Sequence, residues 1–200
     1  VTVGFGKSGR AFVVTQDGVS VVDLTASPQP LVLKNVALSD DPTTDPGSRD
    51  VTVTPDGTFA LVRRDGSPVV TVVELESGKR SEVTLSSDVT DLDLVPDGSR
   101  AIAVMRESSA VALLPLPGIA SDPTTFTTID VPNETVGSVA IAAGGTSAML
   151  FTNAVAVERV IALDLATPAP ALRPVRLWAP VLAAFPTRSG DSAVILHDVS

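Results

Sequence analysis

Residues 50–62 read DVTVTPDGTFALV, and this segment contains the pattern that decides the fold. Apolar residues at alternate positions precede Pro55-Asp56-Gly57, and a mostly apolar run follows this tripeptide. Alternation with a period of two is typical of a half-buried β-strand. A Pro-Asp-Gly sequence between two such runs favours a tight turn. The segment therefore predicts a β-hairpin.

The hairpin pattern returns along the whole chain. Turn signals that contain glycine occur at intervals of 48, 41, 47 and 45 residues, at Gly9, Gly57, Gly98, Gly145 and Gly190. Four of these glycines are followed three residues later by an alanine, and each alanine by a larger apolar residue: Ala60-Leu61, Ala101-Ile102, Ala148-Met149 and Ala193-Val194. We expect the alanines at crowded contacts between adjacent sheets and the larger residues in the core between sheets.

Each repeat also contains a third and a fourth strand-like segment. In the second repeat these are VTVVEL at 70–75 and RSEVTL at 80–85. Four strands in about 45 residues are the unit of a β-propeller blade. A solenoid of parallel coils needs shorter rungs, and an immunoglobulin-type sandwich does not repeat at this interval. The sequence therefore predicts an all-β protein, a β-propeller of four-stranded antiparallel blades.

The repeats predict one propeller domain over 1–200. Its blades are expected at 1–38, 50–86, 91–131, 136–177 and 181–200, the last being only part of a blade. A ring closes by pairing its first and last strands, because open strand edges invite aggregation. We expect the chain to be a segment of a larger ring of about seven blades. A four-bladed ring with a C-terminal extension is the alternative.

The same residues resemble the YVTN-type propeller repeat. That family has an "spDG" turn between its first two strands, matched here by TPDG at 54–57, and a "V-x-V-ID-x-x-TG" run, matched by VTVVELESGK at 70–79. The resemblance covers the chain copy by copy and implies a propeller of the surface-protein, lactonase-like and quinoprotein-like superfamily. The third repeat departs from the pattern with Leu-Pro-Leu-Pro at 114–117, and the fourth lacks the Pro-Asp pair before its glycines.

Composition excludes several classes of protein. The chain has 44% hydrophobic residues, no cysteine, one histidine and a net charge of −9. This apolar fraction excludes a disordered chain, and the lack of cysteine excludes disulfides and thiolate zinc sites. The acidic balance argues against a nucleic-acid partner. No apolar run approaches the roughly 18 to 20 residues of a transmembrane helix.

Paired acids supply the candidate metal ligands. Asp91 and Asp93 stand two apart in a predicted first strand, so their side chains point the same way, toward the central channel. Such a pair could bind a cation or act as acid and base. The acidic loop at 39–50 is the other oxygen-rich segment, although its spacing is not that of an EF-hand. We predict no cofactor, with calcium as the one candidate cation.

The predicted upper face, on which the first strands begin, collects the connections between second and third strands and those between blades. Loops on this face are where a rigid scaffold presents ligand-binding residues. The partner-binding candidates are Arg63, Arg64, Arg106, Glu107 and Trp178, and Asp17, Asp65, Asn153 and Glu158-Arg159 are expected on the same face. The alternative is a set of solvated loop charges, with Trp178 packed in a core or between blades.

The catalytic signals are few. His197 is followed by Asp198 and could form a triad with Ser192 or Ser200, but no G-x-S-x-G context surrounds these serines. A WD40 interaction propeller is disfavoured, because neither Trp-Asp nor Gly-His pairs occur. Low lysine, abundant threonine and valine, and proline-rich loops suit an exported bacterial protein.

These observations predict a non-enzymatic binding or scaffold propeller that presents loops to a protein or glycan partner. We expect an extracytoplasmic location and a longer parent protein. The alternative that the resemblance implies is a lactonase- or quinoprotein-like enzyme, with its site at the channel mouth.

Overall fold

The structure, a computed structural model, describes residues 2–5, 9–15, 18–38, 49–167 and 169–198, with the backbone alone for residues 2–5 and 49. Within these ranges the chain forms antiparallel sheets in which consecutive strands pair. Period-two segments rich in valine and threonine form the strands, as the sequence predicts, and the all-β fold class is confirmed.

The strands group in fours, followed by a final pair. Sheet 1 contains β1 (Thr2–Phe5), β2 (Arg10–Val14), β3 (Gly18–Asp23) and β4 (Leu31–Ala37). Sheet 2 contains β5 (Arg49–Val53), β6 (Phe59–Arg64), β7 (Val69–Glu74) and β8 (Arg80–Thr84). Sheet 3 contains β9 (Val89–Leu94), β10 (Arg100–Met105), β11 (Ala110–Pro115) and β12 (Thr127–Asp130), with the helix α1 (Gly118–Ser121) before β12.

Sheet 4 contains β13 (Ser138–Ile141), β14 (Ser147–Phe151), β15 (Arg159–Asp164) and β16 (Ala171–Arg176). Sheet 5 contains β17 (Val181–Pro186) and β18 (Ala193–His197). The helix α1 is an addition to the all-strand pattern, and its Ile119 is fully buried against sheets 2 and 3.

The sheets stack face to face, and an apolar core fills each space between neighbours. Ala60, Ala101 and Ala148 are buried and face the preceding sheet, as expected for crowded contacts. Leu61 and Ile102 fill the core toward the following sheet. This alternation of small and large side chains along the second strand lets each sheet pack on both faces.

Val194 does not follow the expectation that it lies in a core, because it is 59% exposed. Its counterparts in the second, third and fourth repeats pack on the next sheet. No sixth sheet lies beyond sheet 5 in the described part of the chain, so this side chain meets no partner there. The described sheets do not close into a ring, which is consistent with a partial propeller.

Candidate functional site

The innermost strand of each sheet is its first strand, and these strands lie beside one another. β9 contacts β5 on one side and β13 on the other, and β13 also contacts β17. Register explains which ends meet: Met105 at the end of β10 pairs with Val89 at the start of β9. The connections after second strands therefore lie on the upper face, next to the start of the first strands.

Asp91 and Asp93 bridge two neighbouring first strands. The backbone N–H of Val139 in β13 donates to Asp91 Oδ2 over 2.8 Å, and the N–H of Leu92 donates to Asp91 Oδ1 over 2.9 Å. Asp93 Oδ1 accepts from the N–H of Leu94 over 2.8 Å, and Asp93 also accepts from the N–H of Ile141. Since β9 and β13 are sheet edges, these carboxylates satisfy N–H groups that no strand pairs with.

Partial burial raises the pKa of both carboxyl groups. For Asp91, desolvation outweighs the opposing effect of the two N–H donors and of the nearby Arg63. For Asp93, desolvation also dominates, and repulsion from Asp91 adds to it. Asp50, which occupies the equivalent position in β5, raises the pKa of both groups further through like charge.

A calcium role for Asp91 and Asp93 stays a prediction that this arrangement does not favour. Both carboxylates already accept backbone N–H groups, and a cation would compete with those donors. Among the described residues no group of three or more His, Asp or Glu side chains is placed to hold a metal ion. Of the acidic loop at 39–50, residues 39–48 lie outside the described residues.

Polar side chains on the upper face join each blade to the next. Arg63, near the end of β6, donates through Nη1 to the Val89 carbonyl oxygen at the start of β9 over 3.3 Å. Arg106, after β10, lies so close to Gly137 before β13 that a Cβ there would overlap its guanidinium. Asn153, after β14, donates through Nδ2 to the Leu182 carbonyl oxygen in β17 over 3.5 Å. In three successive blades, a polar side chain at or just after the end of the second strand thus contacts the following blade.

The arginines among the predicted partner-binding residues are partly buried in the structure. The Arg63 side chain is only 15% exposed and also donates to Asp65, with Asp50 at 3.9 Å. Arg64 and Arg106 are partly buried, whereas Glu107 is exposed. Contact with an external partner stays a prediction for all four, and Asp17 lies outside the described residues.

Trp178 is an exposed candidate. It lies in the connection between β16 and β17 and is 73% exposed, so it is not packed in a core of this chain. Its ring lies 4.5 Å from that of His197, tilted by 49°. His197 Nδ1 lies 3.0 Å from the carbonyl oxygen of Ala179, which makes this nitrogen the protonated one. The indole is therefore supported on one side and open to solvent.

The structure places Ser192 too far from His197 for a catalytic triad. Ser192 precedes β18 and His197 ends it, so five residues, or about 16 Å of extended strand, separate them. Ser192 instead belongs to a turn with Thr187 and Asp191. Ser200 lies outside the described residues.

A cleft of about 520 Å³ is lined in part by Arg176 and Pro180, which stand two residues before and two residues after Trp178 in the chain. It is lined by Ala156, Val157, Glu158, Arg159, Arg176 and Pro180. The pairing of β15 with β16 sets Arg159 directly opposite Arg176. Arg159 Nε forms a 3.0 Å ion pair with Glu134 Oε2. The sequence predicts Glu158 and Arg159 on this face, but it gives no signal for the arginine pair, because the two residues meet only through the strand register.

Backbone hydrogen bonds join the cleft wall to the Trp178 segment. The N–H of Leu177 donates to the Glu158 carbonyl oxygen over 2.9 Å, and the N–H of Val181 donates to the Val157 carbonyl oxygen over 3.3 Å. These bonds flank Trp178 on both sides. The aromatic ring and the charged cleft therefore belong to one rigid surface, which we call the Trp178 surface: Trp178, His197 and the cleft residues.

No protein-family model and no curated protein matches the chain. Solved structures do. Hydrazine synthase of Kuenenia stuttgartiensis matches with a TM-score of 0.65 at 19% identity, over 96% of this chain and 54% of that one. A functionally unknown protein from Desulfotomaculum acetoxidans matches with a TM-score of 0.66 at 13% identity, over 99% of this chain and 62% of that one.

The β-propeller domain of Cps50 (Swd1) from Myceliophteria thermophila matches with a TM-score of 0.56 at 14% identity, over 84% of this chain and 55% of that one. At these identities the likeness establishes the propeller fold, and the YVTN assignment stays a prediction. The chain spans 54% to 62% of the length of these structures. No helix in the described residues has the length and apolar character to cross a bilayer.

Proposed function

We propose that this chain is a non-enzymatic binding module whose upper face receives the ligand. The observation that carries the proposal is the 73% exposure of Trp178 on that face. Burying a tryptophan contributes more binding energy than burying most side chains, and tryptophan is enriched at binding hot spots. An indole held open to water by a rigid connection is therefore suited to contact a ligand.

The scaffold beneath this face supports the proposal. Apolar cores join each sheet to the next, and Arg63 and Asn153 hold upper-face connections against the following blade. Rigid support lowers the conformational entropy that binding must otherwise cost. Loops on such a scaffold can keep one geometry for their ligand.

The channel carboxylates favour binding over hydrolysis. Asp91 and Asp93 accept backbone N–H groups from two strands, which restricts their use as a base or as ligands of a catalytic metal. His197 directs Nδ1 at backbone carbonyl oxygens, and the turn that contains Ser192 lies at the far end of β18. A lactonase- or quinoprotein-like activity is the alternative that the experiment must address.

We further propose an extracytoplasmic location and a longer parent propeller. The composition supports the first, with only three lysines, abundant threonine and valine, and proline-rich loops. The apolar outer face of sheet 5 supports the second, because in sheets 2 to 4 the equivalent face is covered by the next sheet.

The test is a binding screen combined with an activity assay. The labelled chain is applied to arrays of immobilised glycans and of purified proteins. In parallel it is assayed with a panel of lactones and calcium, and with alcohols and aldoses, pyrroloquinoline quinone and an artificial electron acceptor. We expect saturable binding to one array and no turnover above the uncatalysed rate. Trp178→Ala should weaken the binding at least about tenfold, or 1.4 kcal/mol.

Leu31→Ala is the matched control. Leu31 is also large, apolar and exposed, but it lies in β4 of sheet 1, away from the Trp178 surface, so its removal should leave binding unchanged. Lactone hydrolysis, or oxidation of an alcohol or aldose, by the wild-type chain would overturn the proposed function, as would the lack of saturable binding on either array.

A further inference from the structure

We propose that the Trp178 surface binds a neutral hexopyranose oligosaccharide, with one sugar ring stacked on the indole and its neighbour in the cleft beside it. This inference rests on the proposed function and gives its ligand class. It rests on the exposed indole of Trp178 and on the nearby cleft, where the charges of two arginines are balanced by two glutamates.

The exposed indole of Trp178 is the surface on which a sugar ring would stack. A pyranose ring has a face of C–H groups, and the π-face of an indole carries the negative part of its quadrupole, so the two attract while apolar surface is buried. Trp178 meets the requirement of accessibility, since its ring contacts His197 on one side and is otherwise open. The His197 ring is itself anchored to the carbonyl oxygens of Ala179 and Pro180 at 3.0 and 3.3 Å, which limits its movement.

The cleft supplies the polar half of such a site. Guanidinium and carboxylate groups are planar and bind two neighbouring oxygen atoms at once, a geometry that also matches vicinal hydroxyls of a sugar. Arg159, Arg176 and Glu158 bring both kinds of group to the lining. The cleft volume of about 520 Å³ lies within the range of small-molecule sites, roughly 300 to 1,000 Å³.

The two facing arginines differ in their acidic partners. Arg159 and Arg176 face each other directly across two strands, and like charges in this position destabilise a sheet. Glu134 compensates Arg159 through its ion pair, whereas Arg176 is exposed and forms no ion pair with the described residues. Its guanidinium therefore keeps donors available for hydroxyl oxygens.

Charge decides between neutral and acidic sugars. The two arginines are balanced by Glu134 and Glu158, so the cleft has no local excess of positive charge. The chain as a whole carries −9, and this field repels anionic ligands. Both facts favour an uncharged oligosaccharide over a uronic or sulfated one. A protein is the competing class of ligand, and the protein array of the binding screen tests it.

The test uses the fluorescence of Trp178, which is the one tryptophan of the chain. Maltohexaose, cellohexaose and mannohexaose are titrated as neutral probes, and a polygalacturonate oligomer as the acidic one. We expect a saturable change in emission with at least one neutral probe. Calorimetry replaces fluorescence for variants that lack the indole, and Trp178→Ala should abolish measurable binding.

Two arginine variants locate the polar contacts. Arg176→Gln removes the guanidinium fork from the cleft and should weaken binding roughly 10-fold or more, as the loss of a hydrogen bond to a charged group does. Arg173→Gln is the matched control, because Arg173 is an exposed arginine of the same strand that does not line the cleft. It should leave the affinity unchanged.

The outcomes separate the two proposals. Neutral-sugar binding that Trp178→Ala and Arg176→Gln both weaken supports this inference. Binding to the acidic oligomer alone, or to proteins on the array without any sugar, would overturn the ligand class and leave the binding function in place. Sugar binding with unchanged affinity in Trp178→Ala and Arg176→Gln would show that the sugar binds elsewhere and would overturn the proposed site. No binding of any kind would overturn both the ligand class and the binding function.

Discussion

At the scale of single residues, Asp91 and Asp93 show how a propeller can treat the exposed edges of its inner strands. An edge strand presents N–H groups that invite pairing with another chain. Here each carboxylate accepts from its own strand and from the next one, so that both edges are satisfied without a pairing strand. Partial burial makes the charged form of these groups costly, which raises the pKa of both.

This arrangement predicts the pH dependence of stability for Asp93→Asn. The folded pKa of Asp93 lies above its ordinary value of 3.8, so its contribution is fully present below that pH and is lost as pH rises through the folded pKa. The amide keeps an acceptor oxygen and does not titrate. The free energy of unfolding of the variant should therefore rise relative to wild type from about pH 3 to about pH 7, by at most about 1.4 kcal/mol per pH unit. Urea unfolding at each pH measures it.

Asp97→Asn is the control, because its effect on stability should change with pH in the opposite direction. The Asp97 carboxylate accepts hydrogen bonds from Ser99, which lowers its pKa, so its contribution is present above its ordinary value and is lost as pH falls. Its variant should lose stability relative to wild type as pH rises. If Asp93→Asn behaved in the same way as Asp97→Asn, the desolvation argument for Asp93 would be wrong.

At the scale of the element, the hairpin between first and second strands is the repeated unit. The Thr54 hydroxyl is buried in the turn and accepts from the N–H groups of Thr58 and Phe59, while Asp56 Oδ1 also accepts from Thr58. The turn glycines at 9, 57, 98, 145 and 190 all have φ between +68° and +78°. At this φ the Cβ of any other residue clashes with the backbone, which explains why glycine recurs in every repeat.

The turn also makes tertiary contacts, and Gly57→Ala tests them. A Cβ at Gly57 would overlap the ring of Phe12, a buried residue of sheet 1. Gly78 has nearly the same φ, +75°, but nothing lies within 4 Å of the position of its Cβ. Gly78→Ala should cost about 1 to 2 kcal/mol of backbone strain. Gly57→Ala should cost about 1 to 3 kcal/mol more, because it also overpacks the core between sheets 1 and 2.

Urea denaturation of the two variants and of the wild type measures the difference in free energy of unfolding. Equal losses for both variants would mean that Phe12 moves aside without cost. In that case the glycine would be needed for its backbone conformation alone.

At the scale of the whole molecule, sheet 5 differs from the other sheets of the described residues, because its second strand is largely exposed. In the other repeats, the second strand is covered by the next sheet and by a third strand of its own sheet. Sheet 5 has two strands in the described residues, and Leu182, Phe185, Val194 and Leu196 remain exposed on it. A contiguous apolar surface of this kind marks a contact site or an aggregation hazard.

This surface predicts self-association of the isolated chain. We expect wild-type protein to associate with increasing concentration and the double variant Phe185→Thr/Val194→Thr to shift the association midpoint upward at least about tenfold. Threonine keeps the β-propensity of both positions while removing apolar area. Sedimentation velocity over a concentration series measures the midpoint.

Val155→Thr is the control, because Val155 is equally exposed but lies in the connection between β14 and β15 rather than on sheet 5. A wild-type chain that stays monomeric at every concentration would contradict the prediction. Association that the control variant weakens as strongly as the double variant does would assign the contact to a different surface.

Local signals in the sequence determined the strands, the turn glycines and their grouping in fours, because alternation and turn chemistry act between residues close in the chain. The family resemblance and the cellular location are predictions that neither the fold nor the solved structures test. The tertiary structure decided everything that depends on which strands meet: the bridging of β9 and β13 by Asp91 and Asp93, the inter-blade contacts of Arg63 and Arg106, and the cleft beside Trp178. Arg159 and Arg176 are 17 residues apart and become neighbours only through strand register, and Trp178 is exposed because the connection between β16 and β17 leaves its ring uncovered. Burial and register are properties of the assembled sheets, and no short stretch of sequence encodes them alone.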